Sequence, residues 1–118
     1  MGISSSLGIW VRAARLRTLP LSVSGIIIGA CLALDVSEFD IPIFILALCT
    51  TISYQVLSNF ANDYGDGIKG TDNDLRIGPK RALQSGAISA RQMRLAVVLN
   101  AIISGVLALS LILLVFGL

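Results

Sequence analysis

Three long stretches of this 118-residue chain contain no charged residue: Thr18 to Leu34, Ile41 to Asn62 and Leu95 to Leu118. They run 17, 22 and 24 residues, and a helix needs about 20 apolar residues, within a range of ~17–25, to cross the hydrocarbon of a bilayer. Helices are the form such stretches must take, because in lipid the backbone has to satisfy its own hydrogen bonds and three short segments cannot close a β-barrel. The pattern predicts three transmembrane helices within one segment, residues 1–118, with spans at about 18–36, 41–62 and 93–118 and a polar motif loop over 63–92. Local punctuation agrees: Asp40 followed by Pro42 opens the second helix, and Ser89-Ala-Arg-Gln92 reads as a capping box for the third.

Composition strengthens this reading. Apolar residues make up 55% of the chain and charged residues 14%, against about 25% charged in soluble domains. That excludes a disordered tail, a collagen-like repeat, an ordinary water-soluble globule and a basic domain for nucleic acid, and leaves the lipid bilayer as the expected surroundings. The position of the charges matters more than the net value of +2. The link Asp35-Val-Ser-Glu38-Phe-Asp40 holds three acids and no base, whereas all nine Lys and Arg precede the first span or lie between the second and third. By the positive-inside rule the amino terminus and the motif loop face the cytoplasm. Cys31 and Cys49 fall inside apolar spans, without CxxC spacing, and read as small buried hydrophobes. With no histidine in the chain, a His-based acid–base pair, a Ser-His-Asp triad and a structural zinc site are excluded within it.

Residues 55–86 are polar and glycine-rich beyond the needs of a connector. Asn59, Asn62, Asp63 and Asp66 stand at i, i+3, i+4 and i+7, so a second helix that continues through them carries all four on one face. Gln55, one turn earlier, extends that face into the membrane and suits a hydrogen bond across helices. Two carboxylates three residues apart repel by a few tenths of a kcal/mol, roughly, on a helix. Their placement at the end of a membrane helix makes sense around a cation. The donor set is all oxygen, which selects a hard ion such as Mg²⁺ or Ca²⁺. Mg²⁺ is held by one or two carboxylates together with substrate phosphates, and the loop lacks the order of an EF-hand. Gly65, Gly67 and Gly70 let the backbone turn and offer amides to phosphate oxygens. Lys69, Arg76, Lys80 and Arg81 add positive charge, although the positive-inside rule alone also predicts bases here.

The run Asn59-x-x-Asn62-Asp63-x-x-Asp66-x-x-x-Gly70-x-Asp72 resembles the first aspartate-rich motif of the UbiA superfamily of membrane prenyltransferases. With Tyr64 and the Gly-x-Asp ending, it is similar to the branch that prenylates 1,4-dihydroxy-2-naphthoate in menaquinone synthesis. Arg15-Leu-Arg17-Thr-Leu-Pro20 and Gly78-Pro79-x-Arg81-x-x-Gln84-Ser85-Gly86 match as well, and the resemblance runs from about Trp10 to the end. In one departure, the superfamily's acid four residues after the second Asp is Gly70 here, with Asp72 two positions later. That favours the naphthoate branch over the 4-hydroxybenzoate and heme branches.

The resemblance implies an all-α membrane protein, part of a UbiA-type helical bundle in a bacterial plasma membrane, that moves a polyprenyl group from its diphosphate to an aromatic acceptor. It implies Mg²⁺ at Asp63 and Asp66, with Lys69 and Arg81 sharing the catalytic work. Asn59, Asn62 and Asp72 become substrate contacts, and Arg17 a contact to the acceptor carboxylate; the plainer reading of Arg17 is a flanking anchor. Superfamily members carry nine spans and a second aspartate motif, and no Asp or Glu follows Asp74. The chain is therefore expected to be the first third of a larger catalytic bundle, inactive alone. The alternative from another class is a small non-enzymatic three-span subunit whose acidic loop binds cations or a partner. A docking loop needs no helical register, so the register of the Asn and Asp residues separates the two.

Overall fold

The computed structural model describes residues 3–69 and 88–117, and its elements among them are all helical. Helix α1 spans Ile3–Ala14, a turn of 3₁₀ helix Leu16–Thr18, α2 Leu19–Asp35, α3 Ile41–Lys69 and α4 Ala90–Phe116. Three stretches, Leu7–Asp35, Ile41–Asp66 and Ala90–Phe116, are long and apolar enough to cross a membrane. The expected all-α membrane architecture is the observed one, with α1 as an addition the sequence pattern did not announce.

Each boundary has a local cause. Between α1 and α2 the chain breaks at Arg15, which adopts the left-handed conformation at φ 53°. For a residue with a Cβ this costs about 1–2 kcal/mol, so neighbouring structure must hold it. At the far end of α2, Glu38 N–H donates to the Ala33 carbonyl at 2.8 Å and Ser37 N–H to the Leu34 carbonyl at 3.2 Å. These are the paired bonds of a Schellman ending, with Ser37 at φ 60° in the position glycine usually takes. Asp40 opens α3 by accepting from Ile43 N–H on its side chain at 3.2 Å. Phe39 and Phe44 pack 5.5 Å apart across that start, as a hydrophobic staple. The capping box at α4 forms in both directions: Gln92 N–H donates to Ser89 Oγ at 3.1 Å, and Ser89 N–H to Gln92 Oε1 at 3.0 Å.

Helix α3 is the axis of the assembly. α4 packs along it most extensively, α2 lies against it as well, and α1 meets its carboxyl-terminal end. Among the described residues the buried apolar side chains lie at that same end: Ala13, Ala14, Ile88 and Met93, with Ile9, Trp10, Phe60 and Tyr64 packed around the cluster of Ala13, Ile88 and Met93. Elsewhere apolar residues face outward, among them Leu21, Leu32, Leu99, Ile102 and Leu109. An outer surface of this kind suits hydrocarbon as its solvent. Cys31 and Cys49 belong to that outer surface and not to a packed interior, which corrects the sequence expectation. Both helices on which they lie are apolar on several sides, so sequence alone does not tell a lipid-facing position from a buried one.

Candidate functional site

Helix α3 does not stop where its uncharged stretch ends; it continues through Asn59, Asn62, Asp63 and Asp66 to Lys69. The helical register required of these residues is therefore present. At 3.6 residues per turn Asp63 stands about 40° to one side of the direction of Asn59, and Asp66 about 20° and Asn62 about 60° to the other. Burial falls off toward that second side: Asn59 is 5% exposed and Asp63 3%, Asp66 is half-buried, and Asn62 is exposed. Asn59, Asp63 and Asp66 thus form the inward line, and Asn62 stands outside it. Arg17 is exposed on the 3₁₀ turn. Lys69 is the last residue of α3, whereas Asp72 and Arg81 lie outside the described residues.

Toward the membrane, this line continues as a polar network that ties α3 to the break in the first membrane helix. Asn59 Nδ2 donates to the Ala14 carbonyl at 2.7 Å and to Thr18 Oγ1 at 3.1 Å. Gln55 Nε2 donates to the same hydroxyl at 3.2 Å, and Ser22 Oγ donates to Gln55 Oε1. Thr18 in turn donates to the Arg15 carbonyl at 2.8 Å. The carbonyls at the end of a helix have no partner within it, and here two of them are satisfied by side chains. Beside the network, Trp10 meets Phe60 edge-on with ring centroids 5.6 Å apart, which docks α1 on α3. The cross-helix role expected for Gln55 is the observed one.

A second polar group lies deeper, between α3 and α4. Ser53 Oγ donates to Asn100 Oδ1 at 3.0 Å, Ser104 Oγ donates to the same oxygen at 3.1 Å, and the two hydroxyls are 2.6 Å apart. Ser104 is completely buried. Small side chains allow the helix backbones to approach, and their hydrogen bonds hold the contact. Sequence reasoning passed over Thr18, Ser22, Ser53, Asn100 and Ser104. The available signal was spacing: Thr18 and Ser22, Gln55 and Asn59, and Asn100 and Ser104 are all i, i+4 pairs, hence single polar stripes on otherwise apolar helices.

Chemically, the carboxylates of Asp63 and Asp66 present oxygen donors from one helix face at the end of a membrane span. No group of three or more Asp, Glu, His or Cys residues comes together among the described residues. Two carboxylates completed by ligand phosphates suit Mg²⁺, which prefers oxygen and retains several non-protein ligands. An open apolar groove of about 660 Å³ runs down α2 from the turn, lined by Leu16, Leu19, Pro20, Val23, Ile27 and Ile52 among others.

A 1,4-dihydroxy-2-naphthoate octaprenyltransferase of Haemophilus influenzae is 46% identical over 99 residues, covering 82% of this chain and 32% of the relative. One from Escherichia coli is 43% identical over 94 residues, covering 80% and 30%. One from Mycobacterium leprae is 36% identical over 110 residues, covering 93% and 37%. The chain therefore spans about a third of the length of the curated relatives it matches. No solved structure matches it. The description of the UbiA prenyltransferase family matches residues 22–118. With a charge-patterned set of membrane-length helices and the aspartate face on α3, the chain belongs to the UbiA prenyltransferase family.

Proposed function

We propose that this chain is the donor-site segment of a membrane prenyltransferase that transfers a polyprenyl group from its diphosphate to 1,4-dihydroxy-2-naphthoate. The observation that carries the reading is the unbroken continuation of α3, which keeps Asp63 and Asp66 in register and turns Asp63 into the packed end of the bundle. Relatives named as 1,4-dihydroxy-2-naphthoate octaprenyltransferases support the naphthoate acceptor.

In this reading Asp63 and Asp66 hold Mg²⁺, whose chemical contribution when bound is positive charge against the departing diphosphate oxygens. Lys69 and Arg81 share the neutralisation of that leaving group, which lets the allylic C–O bond ionise toward a carbocation. Asn59 and Asn62 belong to the same motif, and Asp72 extends it. Asn59 acts by holding the α1 end in place through its amide. Arg17 pairs with the acceptor carboxylate, orienting the electron-rich ring for attack by the carbocation; departure of the carboxylate as CO₂ leaves its electron pair to the ring and restores the aromatic product, with no net release of a proton. The apolar groove beside α2 supplies part of the wall for the isoprenoid chain. The amino terminus and the motif segment between α3 and α4 face the cytoplasm of a bacterial cell, in keeping with the distribution of Lys and Arg.

A chimera tests this assignment. The aligned 94-residue segment of the Escherichia coli relative is replaced by that of this chain, and membranes are assayed with polyprenyl diphosphate, Mg²⁺ and either dihydroxynaphthoate or 4-hydroxybenzoate. Product from dihydroxynaphthoate alone is expected. A chimera that prefers 4-hydroxybenzoate contradicts the acceptor, and one that works equally well without divalent cation contradicts the metal site.

A further inference from the structure

Thr18 joins two parts of the molecule that the functional reading treats separately, the break in the first membrane helix and the aspartate-bearing face of α3. A threonine hydroxyl has one proton to donate and two lone pairs with which to accept. The proton goes to the Arg15 carbonyl at 2.8 Å, and the lone pairs receive Gln55 Nε2 at 3.2 Å and Asn59 Nδ2 at 3.1 Å. The capacity of this hydroxyl is full.

Thr18 also occupies the N-cap position of α2, and its side chain makes no capping bond there. A threonine in that place ordinarily accepts from a backbone N–H of its own helix. Here it turns away to α3 instead. Gln55 is itself fixed, because Ser22 donates to its Oε1 and so determines which end of the amide faces Thr18. Asn59 stands four residues before Asp63 on the same face, about 6 Å along the helix axis. A continuous chain of hydrogen bonds therefore leads from the left-handed Arg15 to the turn of α3 that carries the first carboxylate.

We propose that Thr18 is a positioning residue of the diphosphate site. Through Gln55 and Asn59 it locks the Arg15–Thr18 turn onto the carboxylate face of α3. This rests on the functional reading above, in which Asp63 and Asp66 face a prenyl diphosphate. The lock matters because a diphosphate needs the carboxylate face in one geometry at one time; a face of α3 left loose at Asn59 would have to be ordered afresh at each binding event, at an entropic cost.

The test uses the chain reconstituted in lipid nanodiscs, with geranylgeranyl diphosphate and Mg²⁺ as the probe. Binding affinity, helix content and the emission of Trp10 are measured for wild type, Thr18→Val, Thr18→Ser, Gln55→Leu and Asp63→Asn. Trp10 is the sole tryptophan, and its contact with Phe60 makes it a reporter of α1 docking. Thr18→Val keeps the shape and loses the hydroxyl, and is expected to weaken binding roughly 10-fold while Thr18→Ser restores it to within about twofold. Helix content stays constant, and Trp10 emission shifts in Thr18→Val and Gln55→Leu but not in Thr18→Ser or Asp63→Asn. Wild-type affinity in Thr18→Val overturns the proposal. So does a loss of binding that merely tracks lost helix content, which is what a purely structural side chain would give. Should Thr18→Val fail to insert, Gln55→Leu decides on the same criteria. Failure of the functional reading looks different: wild type and Asp63→Asn then bind the diphosphate equally, or neither binds it. The lock is in that event judged by Trp10 emission alone, and an unshifted Thr18→Val spectrum overturns it.

Discussion

The side-chain amide of Asn59 donates to the backbone carbonyl of Ala14 at 2.7 Å, so a motif residue on the second membrane helix closes the carboxyl-terminal end of α1. A residue of the aspartate-rich motif is in this way also a structural fastener. The pairing ties the conformation of the amino-terminal helix to the segment of α3 that carries Asp63.

Replacing Asn59 by Ala should therefore destabilise the protein as well as disturb any ligand site. The Ala14 carbonyl would be left buried without its donor, at a cost of about 1–3 kcal/mol. Reversible unfolding in mixed detergent–SDS micelles should show the loss, and the Trp10 signal should change before that of α4. An unaltered unfolding midpoint would mean that water replaces the amide without penalty.

The carboxylates lead to a prediction about chemistry rather than stability. In the chimera with the Escherichia coli relative, Asp63→Asn or Asp66→Asn should lower Mg²⁺-dependent prenyl transfer by roughly 100-fold or more. Insertion into the membrane should be unchanged, since acids contribute little to topology. Near-normal turnover in either variant would remove that residue from the metal site.

Ser104 has no exposed surface and faces both Ser53 and Asn100. Ser104→Ala should cost about 0.6 kcal/mol, the usual worth of a hydrogen bond between membrane helices. Ser104→Leu should cost more, about 1–3 kcal/mol, because added volume forces α3 and α4 apart. Unfolding midpoints of the two variants give the comparison; equal effects would show that the interface has room to spare.

Ser37 holds a left-handed conformation that a glycine adopts without strain. Ser37→Gly should accordingly stabilise the protein by about 1 kcal/mol, with no effect on the opposite end of the bundle where the motif lies. A lowered unfolding midpoint would show that the serine side chain supports the turn.

Much of this architecture is legible in the sequence because membrane helices are written in two strong signals. Uncharged length marks the spans, and the i, i+3, i+4, i+7 spacing at Asn59 to Asp66 marks a face. The capping box at Ser89 is equally plain, since both partners are local. Asn62 is less so: it satisfies the spacing, yet its angle places it on the flank, and only the packing of α1 against Asn59 decides which side of the stripe is interior. The break at Arg15 depends on hydrogen bonds from residues some 40 positions away, and no local pattern announces a left-handed arginine. Ser53, Asn100 and Ser104 are individually unremarkable in apolar helices; their meeting is a property of how α3 and α4 are paired.

The length of α3 has a bearing on depth. Its 29 residues rise about 43 Å at 1.5 Å each, whereas the hydrocarbon layer is only about 30 Å thick. A helix entering that layer at Ile41 leaves it some 20 residues later, near Ala61. Asp63 and Asp66 then stand at the height of the lipid headgroups, one turn above the oily layer. An amphiphile already dissolved in the leaflet can reach them by sideways diffusion, its charged end at the proper level and its tail never drawn through water.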